Sequence, residues 1–227
     1  MERHDLLKIL ADFIIKKKRP HPLRVAIDGV DASGKTRFAD ELARTLEPFP
    51  HPVIRASVDD FHNPRQVRYQ KGDLSPAGFY HDSFNYVALV NDLLEPLGPG
   101  GNLRYRPAAF DLANNAPHKV PYQTAPDDAI LLVDGIFLMR PALVSYWDLT
   151  IYLDVDFSES QSRGIPRDAK HIGSLEEARR RYEKRYIPGQ QIYLQEAHPL
   201  DKADILIDNN ILEDPKIIRM PSNAHIW

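Results

Sequence analysis

The chain has 227 residues, no cysteine and a formal net charge of −3. This length can bury a full core as one domain. The lack of cysteine excludes disulfides, zinc thiolates and a cysteine nucleophile, and it fits a reducing, cytoplasmic location. The small negative charge gives no basic field for nucleic acid, and no apolar run approaches the length of a membrane span. We therefore expect neither a nucleic-acid nor a membrane partner, while a homo-oligomer stays open.

Residues 1–22 are predicted to form a helix that packs on the main domain. Its apolar residues fall on one helical face: Leu6, Leu10, Phe13 and Ile14. Because charge runs through the segment, we expect it not to be a signal peptide. The basic run Lys16 to Arg19 can be read as a localisation signal, but we favour a solvated last turn, where cations interact well with the helix dipole.

A glycine-rich loop follows the first predicted strand. The strand is Leu23 to Asp28, and the loop, Gly29 to Thr36, has the Walker A pattern G-x-x-x-x-G-K-[ST]. Lys35 to Glu47 has helical apolar spacing, so the loop lies between the strand and the helix that this pattern requires. We predict that the loop binds the phosphates of ATP or GTP.

Each fixed position of this loop has a physical task. The glycines let the backbone curl so that N–H groups point at phosphate oxygens, and the next helix adds the positive end of its dipole. Lys35 supplies a cation for the terminal phosphates, and the Thr36 hydroxyl is placed to ligate Mg²⁺. The predicted nucleotide-binding residues are Gly29, Asp31, Ala32, Ser33, Gly34, Lys35 and Thr36.

Further apolar runs predict the buried strands of a parallel sheet. They are Pro52 to Val58, Ala129 to Asp134, Leu149 to Val155 and Ala203 to Asp208. The predicted helices between them are Ser83 to Leu97, Leu138 to Tyr146 and Ser174 to Arg185. This alternation predicts an α/β fold, the three-layer sandwich of a P-loop NTPase, with a five-stranded, mainly parallel sheet and helices on both faces. Residues 23–212 would form this domain, and the C-terminal tail 213–227 carries no readable signal.

Two of the predicted strands end in carboxylates that suit phosphoryl transfer. Ligands of such sheets bind beyond the carboxyl ends of the strands, so these acids should share a crevice with the loop. Asp59 can accept the proton of an attacking hydroxyl, whereas we expect its neighbour Asp60 to form a cap or face solvent. Asp134 can hold the hydration shell of Mg²⁺, because this ion keeps several waters.

Several motifs resemble, in the same order, the group of uridine kinases, phosphoribulokinases and pantothenate kinases. They are the Walker A loop, Asp59-Asp60-Phe61, Asp82-Ser83-Phe84 and Val133-Asp134-Gly135-Ile136-Phe137. The resemblance extends from about Leu23 to Asn210 and implies an ATP-dependent kinase that acts on a hydroxyl of a small metabolite, first of all a pyrimidine nucleoside. It implies that Asp59 contacts the acceptor hydroxyl and that Asp134 is the acidic Mg²⁺ residue, where uridine kinases usually have Glu.

An arginine-rich lid is predicted over about residues 160–186. The pattern Arg163 to Asp168 resembles the lid of the same group, which implies that Arg163 and Arg167 reach the transferring phosphoryl group. Cations there stabilise charge in the transition state, and a lid helps to exclude water. The predicted catalytic residues are Lys35, Asp59, Arg163 and Arg167.

The second half of the lid is predicted to be a solvated helix. Ser174 and Glu177 form a capping-box pattern, and opposite charges four residues apart follow them. We expect Arg179 to Arg181 mostly at the surface, and the role of Arg185 stays open.

The segment His62 to Asp82 is expected to line the acceptor site. The predicted acceptor-binding residues are Asp59, His62, Arg65, Arg68, Tyr80 and Tyr105. Tyr80 stands where uridine kinases have an Asp that grips the ribose, and His62 stands where a Tyr is usual. Arg65 and Arg68 would pair well with phosphate or carboxylate, so a sugar phosphate or a pantothenate-like acid is the alternative acceptor. A nucleotide-dependent switch without a small acceptor is the other alternative.

A short β-ribbon is predicted between the second and third strands of the sheet. Leu103 to Arg106 would pair with Val120 to Tyr122. The ribbon is either a small flap over the crevice or an ordered surface loop.

Overall fold

The computed structural model describes residues 2–222. The strands of this part of the chain are β1 (Leu23–Gly29), β2 (Val53–Ser57), β3 (Arg104–Tyr105), β4 (Phe110–Asp111), β5 (Ala116–Pro117), β6 (Gln123–Thr124), β7 (Ile130–Asp134), β8 (Leu149–Asp154), β9 (Ile205–Asp208) and β10 (Lys216–Arg219). The α-helices are α1 (Arg3–Ile15), α2 (Lys35–Leu46), α3 (Arg65–Arg68), α4 (Pro76–Asp82), α5 (Tyr86–Leu89), α6 (Phe157–Ile172), α7 (Leu175–Arg181), α8 (Ile187–Ala197) and α9 (Pro199–Lys202). Within the described range, no helix is long and apolar enough to cross a membrane.

The central sheet has the strand order β10-β9-β8-β1-β7-β2. β1 pairs in parallel with β7 and β8, and β2 and β9 continue the parallel sheet on either side. The predicted α/β fold with a mainly parallel sheet is therefore confirmed, and all five predicted strands occur.

The sheet has one strand more than predicted. β10 lies in the tail 213–227 and runs antiparallel to β9 at the edge of the sheet. Its side chains are mostly exposed, so it lacks the continuous apolar run by which a buried parallel strand is recognised. The last part of that tail, residues 223–227, lies outside the described residues.

Side chains alternate between two cores, one on each face of the sheet. Val25 and Ile27 of β1 belong to the core that contains α1 and α2, whereas Ala26 between them faces the other core. The four apolar residues predicted on one face of α1 are all buried in the first core. The N-terminal helix thus covers part of the same sheet face as α2.

The predicted helix over Leu138 to Tyr146 is wrong. Turns occupy this segment, and Val144–Tyr146 forms a single 3₁₀ turn. Phe137 has a positive φ of 67°, which reverses the chain soon after β7. Pro141 lacks the N–H that a helix interior requires. The Met139 N–H donates instead to the carboxylate of Asp28, so the segment is held by tertiary contacts.

Two predicted helices contain wide π-helical turns. Within the predicted helix Ser83 to Leu97, the first three residues are not helical, and α5 is followed by the π turn Val90–Leu94. In the lid, α7 passes through the π turn Tyr182–Tyr186 into α8. The predicted cap at Ser174 is confirmed, because its Oγ accepts a hydrogen bond from the N–H of Glu177 at 3.1 Å. The lid also contains α6, which precedes that cap.

The predicted β-ribbon is formed by β3 and β6, just beyond the expected partner segment. An inner hairpin of β4 and β5 extends it. The N–H of Ala109 donates to the carbonyl of Asp60 at 2.9 Å, and the Asn115 Oδ1 accepts from the N–H of Arg65 at 2.7 Å. These contacts with Asp60 and with the expected acceptor segment favour the flap over a separate surface loop.

Leu10→Ala should destabilise the protein through loss of α1 burial. Leu10 has no exposed surface, and truncation of such a leucine lowers the free energy of unfolding by about 2–5 kcal/mol. The neighbour Ile9 is 39% exposed, so Ile9→Ala should cost less than about 1 kcal/mol. Urea unfolding of the two variants measures the difference. Equal losses would contradict the burial of α1 against the sheet.

Candidate functional site

The Walker A loop joins β1 to α2 at the carboxyl end of the sheet. Gly29 and Gly34 have positive φ angles of 155° and 88°. A Cβ on Gly29 would lie 2.6 Å from the carbonyl oxygen of Leu153 in β8, which no side chain tolerates. Ala32 also has a positive φ, of 54°. The loop therefore takes a conformation that only its glycines allow at both ends.

Lys35 folds back over the loop from the start of α2. Its Nζ donates to the carbonyl of Val30 at 2.6 Å and to the Oγ of Ser33 at 3.3 Å. Burial lowers the pKa of Lys35, and nearby carboxylates, above all that of Asp31, oppose this shift. The ammonium group lies inside the loop, where terminal phosphates would bind.

Two helices hold the main chain of the loop in place at Asp31. The N–H of Asp31 donates to the Gln190 Oε1 of α8 at 2.6 Å. The carbonyl of Asp31 accepts from the Ser160 Oγ of α6 at 2.7 Å. Sequence reasoning missed Gln190 and Ser160, because neither belongs to a recognisable motif.

Thr36 and Asp134 form an oxygen-rich pair at the mouth of the loop. The Thr36 Oγ1 donates to the Asp134 Oδ2 at 2.6 Å, and Arg55 of β2 holds the Asp134 Oδ1 at 2.8 Å. A hydroxyl beside a carboxylate matches the hard oxygen ligands that Mg²⁺ prefers. The pair therefore fits the predicted metal, although sequence reasoning had missed the supporting role of Arg55.

A cavity of about 350 Å³ opens in front of the loop. Residues of the loop and of the first turn of α2 line it, together with Asp59, Asp134 and Arg167. The structure thus brings the predicted phosphate loop, base, metal acid and one lid arginine to the same cavity.

The two adjacent acids after β2 occupy different surroundings. Asp59 is exposed to the cavity in a 3₁₀ turn, and its N–H donates to the Ser57 Oγ at 3.3 Å. Asp60 is half-buried, and burial, with the charge of Asp59 nearby, raises its pKa. This placement favours Asp59 over Asp60 as an acceptor of protons from a ligand in the cavity.

The two predicted lid arginines point to different places. Arg167 lines the cavity, and its Nε donates to the Asp168 Oδ1 at 2.7 Å. Arg163, one turn earlier in α6, donates to the main-chain carbonyls of Asn209 and Asn210. A contact of Arg163 with a phosphoryl group would require these bonds to break.

Tyr80, which was predicted to contact an acceptor, lies in the core. Tyr80 has no exposed surface and packs against Phe137, with ring centroids 5.1 Å apart. The guanidinium of Arg140 covers its ring at 4.6 Å. Tyr105 is also buried, and its hydroxyl donates to Gln123 within the ribbon at 3.1 Å. An aromatic residue in a predicted site segment can equally serve the core, and the sequence pattern did not distinguish the two.

His62 lies beside the predicted base. Its Nδ1 is 2.7 Å from the carbonyl oxygen of Asp59, and its ring contacts that of Phe84 at 4.5 Å. Burial lowers the pKa of His62, so the imidazole is neutral near pH 7. A neutral ring at this point can make hydrogen bonds without adding charge.

Arg185, whose role the sequence left open, is buried against the segment that is expected to line the acceptor site. Its NH1 donates to the carbonyls of Gly72, Asp73 and Ser75 at 3.2–3.4 Å, and its NH2 donates to that of Arg68 at 3.1 Å. These bonds attach the π turn of the lid to the loop before α4. Arg179 and Arg180 are exposed and Arg181 is half-buried, which agrees with a largely solvated α7.

A buried carboxylate beneath the loop links several segments of the chain, a role that the sequence did not reveal. Asp28 has no exposed surface and accepts hydrogen bonds from the N–H of Gly29 at 2.7 Å, from the N–H of Met139 at 3.0 Å and from the hydroxyl of Tyr193. Burial raises the pKa of Asp28 to about 6, although these hydrogen bonds oppose the shift.

The parallel sheet, the Walker A loop after β1 and the arginine-bearing helix above it define a P-loop kinase fold. The solved structure of a possible uridine kinase from Bacillus stearothermophilus matches it with a TM-score of 0.72. That match covers 91% of this chain and 99% of the other at 23% identity, a level that establishes the fold alone.

Curated proteins extend this likeness to sequence. The chain is 28% identical over 191 residues to Uridine-cytidine kinase B of Dictyostelium discoideum and 25% identical over 173 residues to the pantothenate kinase of Parvibaculum lavamentivorans. These matches cover 82% and 68% of this chain, and 74% and 51% of the two relatives. No protein-family model matches the chain. The predicted resemblance to the uridine kinase and pantothenate kinase group is confirmed.

Asp28→Asn should remove a pH-dependent loss of stability. The pKa of Asp28 is about 6 in the fold and has an ordinary value of 3.8 in the unfolded chain. Between these values the folded chain binds the extra proton, so the wild-type free energy of unfolding falls as the pH rises through this window. Each pKa unit is worth about 1.4 kcal/mol, which sets an upper limit of about 3 kcal/mol.

Urea unfolding between pH 4 and pH 7 measures this effect. The Asn variant should lose less stability than wild type over that range, whereas the surface variant Asp201→Asn should follow wild type. Parallel curves for wild type and Asp28→Asn would contradict the assigned titration.

Proposed function

We propose that the protein transfers the γ-phosphoryl group of ATP to a hydroxyl of a small metabolite. The observation that carries this proposal is the cavity shared by Lys35, Asp59, Asp134 and Arg167. Phosphoryl transfer requires phosphate positioning, metal and charge stabilisation in one place, with a group to take the acceptor proton. A nucleotide-dependent switch has no evident use for such a base beside a lid arginine.

The chain's own residues divide the chemistry of this transfer. The loop N–H groups and Lys35 hold the β- and γ-phosphates, and Thr36 with Asp134 would hold Mg²⁺, which neutralises phosphate charge when bound. Asp59 takes the proton of the acceptor hydroxyl as the new O–P bond forms and the bond to the ADP oxygen breaks. Arg167 stabilises the charge that develops on the transferred group.

A pyrimidine nucleoside is the first proposed acceptor. The support is the similarity to a protein named Uridine-cytidine kinase B over most of this chain. The neutral imidazole of His62 beside Asp59 suits a neutral polyol, because it offers hydrogen bonds without a charge.

An anionic metabolite is the second candidate, and a cluster of arginines favours it. Arg65, Arg68 and Arg185 surround the ring of Tyr69, with guanidinium carbons 5.3, 5.5 and 4.6 Å from its centroid. Arg68 and Arg185 donate to main-chain carbonyls, which leave their charges unneutralised. Burial lowers the pKa of both, and neighbouring arginines lower it further. A phosphate or carboxylate on the acceptor would relieve this repulsion.

Asp59→Asn should abolish acceptor-dependent ADP release while nucleotide binding survives. General base catalysis contributes about 10²–10⁴-fold, so the turnover number should fall by that order. The assay offers Mg-ATP with nucleosides, sugar phosphates and pantothenate, and ADP release is measured against a blank without acceptor. Asp60→Asn is the matched control and should retain most activity. ADP release equal to the blank with every compound of the panel would favour a nucleotide-dependent switch. Full activity of the Asp59→Asn variant would show that Asp59 is not the general base.

Arg65→Ala and Arg68→Ala separate the two acceptor classes. If the acceptor is anionic, each substitution should raise its KM on the order of tenfold, the loss of one charge-assisted hydrogen bond. Lys71→Ala is the control, because Lys71 already pairs with Asp82 at 2.9 Å. An acceptor whose KM stays unchanged in both arginine variants is not held by this cluster.

A further inference from the structure

A buried asparagine donates a hydrogen bond to the main chain of the Walker A loop. Asn209 follows β9 and has no exposed surface. Its Nδ2 donates to the carbonyl oxygen of Ser33 at 2.7 Å. Its own main-chain N–H donates to the carbonyl of Asp154 at the end of β8, at 2.9 Å. The sheet therefore holds Asn209, and Asn209 holds the loop.

The bond to Ser33 determines the direction of one peptide group. The carbonyl of Ser33 and the N–H of Gly34 belong to the same planar peptide, and a trans peptide points the two in opposite directions. Because Asn209 holds the carbonyl at the rear of the loop, the N–H of Gly34 is directed towards the cavity that Gly34 lines. Inward N–H groups are what bind phosphate oxygens in such a loop.

Arg3 of the N-terminal helix orients the amide of Asn209. Its NH1 donates to the Asn209 Oδ1 at 3.2 Å, so the amide nitrogen faces Ser33. An arginine can only donate, which leaves the amide one favourable orientation. Arg3 is itself held by an ion pair with Glu41 and lies over the ring of Phe38 at 5.3 Å. The N-terminal helix thereby reaches the loop through two side chains.

The lid helix is attached to the same segment. Arg163 of α6 donates to the main-chain carbonyls of Asn209, at 3.3 Å, and Asn210. Its guanidinium therefore fixes the backbone of Asn209, while Arg3 fixes its side chain. This arrangement gives Arg163 a role on the rear side of the loop, away from the phosphoryl group.

We propose that Asn209 is a positioning residue for the nucleotide phosphates. Asn209 sets the orientation of the Ser33–Gly34 peptide group, and Arg3 and Arg163 hold Asn209 in position. The inference rests on the proposed function in that the loop binds a nucleotide, and the comparison of KM values below also requires the proposed transfer.

Titration of Mg-ADP into the purified chain tests this role. Asn209→Ala and Asn209→Asp both lack the donor to Ser33. Asn209→Ala should raise the Kd for ADP by about fivefold, the value of one neutral hydrogen bond, and Asn209→Asp, which also adds a negative charge near the phosphates, should raise it at least as much. Asn209→Asp keeps an acceptor for Arg3, so it retains that link if the alanine variant folds poorly. Arg3→Met should raise the Kd by a smaller factor, because the amide loses its orientation but keeps its donor.

Asn85→Ala is the matched control. The Asn85 Oδ1 caps α5 by accepting from the N–H of Ala88 at 3.0 Å, so its loss costs stability without touching the loop. This variant should keep the wild-type Kd for ADP. In the Asn209 variants the KM for the acceptor should stay unchanged while the KM for ATP rises.

Each other outcome overturns the inference. A wild-type Kd in both Asn209 variants shows that the bond to Ser33 does not matter for binding. A raised Kd in the Asp variant alone assigns the effect to charge repulsion with the phosphates. Parallel rises in both KM values, or an equal rise in Asn85→Ala, assign it to general destabilisation. A wild-type chain that binds no ADP overturns the proposed function as well, and the unmodified protein alone reveals that result.

Discussion

The site depends on the hydrogen bonds that one buried carboxylate, that of Asp28, accepts. It accepts hydrogen bonds from the first residue of the Walker A loop, from Met139 in the turn after β7 and from Tyr193 in α8. Three segments distant in sequence are thus held by two oxygen atoms. A carboxylate loses much hydration when it is buried, so it remains only because these donors replace water. The raised pKa of Asp28 shows that the replacement is incomplete.

The loop is supported from several sides, and each contact restrains its main chain. Gln190 and Ser160 hold the peptide groups of Asp31, and Asn209 holds the carbonyl of Ser33. Such contacts matter because phosphates bind to main-chain N–H groups, whose directions are set by backbone angles. The side chains that support the loop come from α6, α8 and the segment after β9. A movement of the lid helices would therefore act on the loop through these hydrogen bonds.

Sequence reasoning located the strands well and one helix badly. Buried parallel strands are continuous apolar runs, and each such run proved to be a strand. The segment Leu138 to Tyr146 is just as apolar, but a positive φ at Phe137 and bonds from Met139 to other elements prevent a helix there. Tyr80 was assigned to the acceptor site from its place in a motif, whereas the fold turns it into the core. The local sequence pattern does not show which side chains of an element are buried when the fold has two cores.

The sequence by itself determined the Walker A loop, because its glycines, Lys35 and Thr36 act through backbone freedom and charge within one short segment. It also determined which acids end strands, and hence that Asp59 and Asp134 share an edge with that loop. Tertiary structure alone decided which arginine enters the cavity, since Arg163 and Arg167 lie on one helix and differ only in what surrounds them. It also decided the supports at Arg55 and Asn209, because a hydrogen bond between residues far apart in the chain leaves no periodic pattern to recognise.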